Sequence, residues 1–204
     1  MVKIVTASKG PFTADVLSSC RHKVFNPRGN MLSASHLRPL VRFRTDGPGR
    51  GLASCPRLGV LVTSNNDVNT LLVWSIPDAH SGLELRVVCI LGGPRSVAPM
   101  QFQFFDGYGD SGYLAFTPSG SGDYPLLLVT DAGHNAVHVI DVVQKTHQGY
   151  VAAPGAIAGP RSVAASGAAG ASPLVAASAW KKFYSGDHVV HLYRGVGLCG
   201  SWCG

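Results

Sequence analysis

The clearest alternation of apolar and polar positions lies at Leu126–Val142, LLLVTDAGHNAVHVIDV. An apolar run, Leu126–Thr130, leads into Asp131-Ala132-Gly133-His134-Asn135, and a Val- and Ile-rich run, Ala136–Asp141, follows. Short β-branched runs bounded by Asp, Asn and Gly predict two strands joined by a tight reversal. Weaker copies lie on both sides. The upstream copy begins at Val41, opens through Asp46–Ala53 and continues through Val60–Ser64. It turns at Asn65-Asn66-Asp67, returns through Thr70–Trp74 and ends with a fourth strand, Leu85–Leu91, before Gly92-Gly93. The central copy opens at Asp106–Ala115, has a longer turn at Ser119–Pro125, and takes Gly149–Ala153 as its fourth strand. The downstream copy opens at Gly159–Ala164, runs through Leu174–Ser178 and returns through Val189–Tyr193, with no fourth strand after it.

Leu-Ala recurs after 62 residues, at Leu52 and Leu114, and Val-Thr after 67, at Val62 and Val129. Val137-His138-Val139-Ile140 is echoed by Val190-His191-Leu192-Tyr193, which sets His138 and His191 at equivalent strand positions. Four short strands per unit, in units tens of residues long, predict propeller blades. A β-sandwich also has short strands but does not repeat the same opening and hairpin in order. The expected fold is all-β, an incomplete β-propeller of about three four-stranded antiparallel blades over residues 41–195. Residues 1–40 are expected to be a basic, poorly ordered extension and residues 196–204 an irregular tail.

Composition agrees with many short strands. The chain has 25 Gly and 13 Pro and is only 14% charged, where a helical bundle would carry more Glu and Lys. No apolar run is long enough for a membrane helix. The formal charge of +6 is unevenly placed: eight Lys or Arg stand against Asp15 alone up to Arg44, so the remainder sums to −1. The basic balance therefore belongs to the extension and is no argument for a nucleic-acid-binding domain. That extension has no apolar signal core. Its Arg- and Ser-bearing, acid-poor composition leaves an organelle transit peptide as the alternative to a cytoplasmic chain.

Candidate chemistry is sparse. Gly107-x-Gly109-x-x-Gly112 spells a dinucleotide fingerprint, but it leads into a strand, Tyr113–Phe116, and not into the helix such a site requires. Of five cysteines, Cys55 and Cys89 sit among apolar residues as free thiols. Cys199-x-x-x-Cys203 lacks the second pair of a structural zinc site, and Cys20 stands alone. Reduced thiols suit an intracellular compartment. Asp131 is read as a cap on its own hairpin, and His134 and His138 as packing or hydrogen-bonding residues, with a channel metal as the rival reading. Trp180, Lys181, Lys182, Phe183 and Tyr184 form a basic-aromatic turn: a solvated loop, or a contact loop for a protein or RNA. No catalytic set, metal site or cofactor is expected.

The residues Gln101-Phe102, Leu114-Ala115 and Val129-Thr130-Asp131-Ala132-Gly133-His134-Asn135-Ala136-Val137-His138-Val139-Ile140 resemble a blade of the NHL-repeat β-propellers. His and Asn stand in reversed order, and Ala136 replaces the usual Arg. The likeness covers about residues 43–195, with one good blade and two matching in hydrophobic pattern alone. It implies a non-enzymatic protein-binding or scaffold module whose blade-face loops meet a protein partner. Its alternatives are a propeller hydrolase or lyase with a metal in the central channel, and an RNA-binding propeller. Closed propellers need about 4–8 blades. About three cannot close a ring, so the expectation is a shortened version of a longer propeller, or self-association.

Overall fold

The computed structural model describes residues 24–25, 31–32, 49–76, 85–93, 100–105, 111–118, 124–167, 173–180 and 188–194. Among them there is no α-helix. β1 (Val24–Phe25) and β2 (Met31–Leu32) form a small antiparallel ladder. Three antiparallel sheets follow, each with its strands in chain order. The first holds β3 (Leu52–Cys55), β4 (Val60–Asn65), β5 (Thr70–Ser75) and β6 (Arg86–Leu91). The second holds β7 (Leu114–Phe116), β8 (Leu127–Asp131), β9 (Ala136–Asp141) and β10 (Thr146–Ala152). The third holds β11 (Pro160–Ser166), β12 (Leu174–Trp180) and β13 (His188–Arg194).

Period-2 alternation gives each strand two faces, and here most faces are used. Val62, Leu71 and Val73 on the first sheet join Leu127, Val129 and Ile140 on the second in one buried cluster with Phe102 and Phe104. The opposite face of the second sheet, with Leu128, Val137 and Val139, packs on Val175, Ala177 and Ala179 of the third. The second sheet is thus buried on both sides. Its β8 and β9 read as near-continuous apolar runs for that reason, which is why this stretch stood out in the sequence. The first strands lie side by side, β3 against β7 and β7 against β11. They come so close that a Cβ on Gly51 would collide with the carbonyl oxygen of Gly112.

Equivalent hydrogen bonds fix the register between sheets. Ser64 N–H donates to Gly51 O, Thr130 N–H to Tyr113 O, and Trp180 N–H to Gly159 O. Ser64, Thr130 and Trp180 therefore correspond, and so do Asn65 and Asp131. Asn69 and Asn135 close the matched turns at φ 52° and 53°. Each lends its side-chain oxygen to a backbone N–H of the following connection, Phe104 and Gly159 respectively. This register corrects the spacing of 67 taken from Val-Thr: Val62 corresponds to Leu128, not to Val129. A one-residue slip exchanges the two faces, and Val62 and Leu128 both face the next sheet whereas Val129 faces the preceding one. His138 and His191 are also not equivalent. His138 pairs with Val129 and His191 with Ala177, so they share a face but sit two positions apart, and Val189 matches His138. The fourth strand of the second sheet begins at Thr146, earlier than the expected Gly149.

Candidate functional site on the central hairpin

Asp131 ends β8 with no exposed surface. One of its oxygens serves the turn: Oδ1 accepts the His134 N–H at 3.0 Å. That part is the expected hairpin cap. The other oxygen serves two side chains of the same hairpin and one group far away in the chain. Oδ2 accepts the Gln103 N–H at 3.0 Å, and lies 2.8 Å from His134 Nδ1 and 3.1 Å from His138 Nε2. Gln103 belongs to the segment that threads between the first two sheets, and its carbonyl accepts the Gly133 N–H at 2.8 Å. The carboxylate thus ties the hairpin to the connection before it. Ser111 adds a parallel tie, its hydroxyl donating to Phe104 O and accepting the Ala132 N–H.

His138 is buried on β9 with both ring nitrogens engaged. Nε2 faces Asp131, and Nδ1 lies 3.1 Å from Nε2 of His147 on β10. The consistent arrangement has His147 Nε2–H donating to His138 Nδ1 and His138 Nε2–H donating to Asp131. Phe102 meets the His138 ring edge-on, and Tyr150 packs on both His138 and His147. Burial pushes the Asp131 carboxyl upward. The hydrogen bonds from His138 and His134, and from the backbone N–H groups of His134 and Gln103, outweigh it and hold the group below the usual carboxylate value. Desolvation, and then the neighbouring His138, lower the His147 value.

The sequence brought Asp131, His134 and His138 into view; the structure gathers them within 4.8 Å of one another. His147 and Tyr150 were missed. They lie on a strand whose leading turn, Val142–Lys145, reverses through Lys145 at φ 57° without any glycine to mark it. Trp180 ends β12, stacked edge-on against His188. Lys181, Lys182, Phe183 and Tyr184 lie outside the described residues, as do Cys20, Cys199, Cys203 and the glycines at 107 and 109. Cys55 and Cys89 are free thiols, the first buried. No described helix is long and apolar enough to cross a membrane. No family model, no curated protein and no solved structure matches the chain.

Proposed function

We propose that the chain is a non-enzymatic protein-binding module built from propeller-like, NHL-type repeats, and that the outer face of its third sheet receives the apolar sheet face of a partner. One observation carries this reading. Val73, Val139 and Val190 occupy the same ladder position on the same face of successive sheets. Val73 is 2% exposed beneath the second sheet and Val139 is 0% exposed beneath the third. Val190 is 63% exposed, and its neighbour on that face, Leu192, is 66% exposed. Among the described residues this face is covered by a following sheet twice, and on the third sheet it stands open. Open apolar sheet faces with unpaired edges mark interaction surfaces.

A channel enzyme fits less well. A propeller's channel runs along its first strands, whereas the cluster of titratable groups sits at the end of β8 and on β9 and β10. An RNA-binding propeller is disfavoured by the near-neutral charge of the repeated part. Sedimentation velocity across a concentration series tests the proposal, because in a purified sample the available sheet face is that of a second copy. The wild-type chain should associate, and Val190→Lys with Leu192→Lys should sediment as a monomer with unchanged circular dichroism. A wild type that remains monomeric throughout, or a double variant that associates equally, would overturn the reading.

A further inference from the structure

We propose that Asp131, His134 and His138 form a binding site for one divalent transition metal ion of the zinc class, with an open position beside His134. The hairpin itself does not require these residues. At the three positions matched to Asp131, His134 and His138 the first sheet carries neutral side chains on an equivalent turn. Asn65 stands where Asp131 is, its Oδ1 accepting the Asp67 N–H, and Val68 and Leu72 stand for His134 and His138. The second sheet therefore carries a buried charge and two imidazoles that its backbone could do without. A buried carboxylate is costly unless paired. Among the described residues, the ion-pair partners of Asp131 are these two histidines.

Three nitrogen donors crowd on Oδ2, two of them imidazole nitrogens at 2.8 and 3.1 Å. Ligand atoms about 2.0–2.2 Å from a tetrahedral zinc ion stand roughly 3.3–3.5 Å apart. Replacing two shared protons by one ion therefore asks the two oxygen–nitrogen gaps to widen by roughly 0.2–0.7 Å, and the ligand atoms, all within 4.8 Å of one another, to draw in to that tetrahedral spacing. Each imidazole moves its proton to its other nitrogen: His134 to Nε2, and His138 to Nδ1, which then donates to His147 Nε2 while His147 carries its own proton on Nδ1. No net proton is needed from neutral rings. His147 becomes the outer partner that orients a ligating histidine. The His134 N–H, donating to Oδ1, and the Gln103 N–H, donating to Oδ2, hold the carboxylate in place. His134, 40% exposed, is the entry side and leaves the fourth position to water. Two imidazoles and one carboxylate select a zinc-class ion over calcium, which takes oxygen ligands.

The test is titration of the full chain with zinc, followed by calorimetry and by 15N shifts of the histidine rings. The expected result is one equivalent bound, with His134 Nδ1 and His138 Nε2 shifting to metal-bound values. His134→Ala, an exposed position, should abolish that equivalent without altering the fold. His147→Phe should weaken it roughly 10–100-fold, as loss of an outer partner does. No binding by the wild type, binding that leaves these ring nitrogens unshifted because cysteines take the ion, or undiminished binding by His134→Ala would overturn the proposal.

Discussion

Placing the same charge at two matched positions separates covered from open faces. Val139→Asp puts a carboxylate between the second and third sheets, among Leu128, Val137, Val175 and Ala177. The buried valine contributes about 1.5–3 kcal/mol through removal from water. A carboxylate buried in this apolar cluster adds several kcal/mol. The sum, about 4–6 kcal/mol, approaches the whole stability of a typical domain, about 5–15 kcal/mol. Val190→Asp makes the same change on the open face. There it should cost under about 1 kcal/mol, mainly the low strand preference of Asp. Urea unfolding followed by circular dichroism measures both. With a urea slope of about 1–3 kcal/mol per molar, Val139→Asp should lower the midpoint by about 2 M or leave the chain unfolded in buffer, and Val190→Asp should barely move it. Equal midpoints for the two variants would refute the register on which the reasoning rests.

Three further outcomes are expected. Asn135→Ala should lose about 1–3 kcal/mol in the same urea assay, because it forces alanine to a positive φ and strips Gly159 N–H of its acceptor; an unchanged midpoint would contradict this. Trp74→Phe should cost about 1–2 kcal/mol, since the Trp74 Nε1–H to Thr63 Oγ1 bond of 2.9 Å is buried and its loss orphans the hydroxyl; stability equal to wild type would count against that account. Burial raises the Cys89 thiol above its ordinary value, with Lys145 opposing, so its thiolate forms only at higher pH. Alkylation mapped by mass spectrometry should therefore be slower at Cys89 in the folded chain at pH 8 than in urea, and equal rates would show an unperturbed thiol.

How far the sequence could be read depended on the range of each interaction. The β8–β9 hairpin was legible because both strands are buried on both faces and the turn carries Asp, Gly and Asn. The register between copies was not, because the repeated Val-Thr dipeptide suggested an alignment that the edge hydrogen bonds at Ser64 and Thr130 move by one residue. Asp131 was legible as a turn cap, since its bond to the His134 N–H is local. Its bond to the Gln103 N–H depends on a connection threaded between sheets, which no local pattern encodes. His147 was hidden for a related reason. The strand that carries it starts after a turn closed by Lys145 in the left-handed region, where sequence rules look for Gly or Asn.

The central claim is that three register-matched sheets stack face on face and that, among the described residues, the outer face of the third is open. Methyl-labelled nuclear Overhauser spectroscopy measures this directly on dilute, monomeric protein. The account predicts cross-peaks from Val73 to Leu114, Leu127 or Val129, cross-peaks from Val139 to Val175, Ala177 or Ala179, and none from Val190 to any other sheet. Cross-peaks from Val139 to the first sheet, or from Val190 to a covering layer, would contradict it.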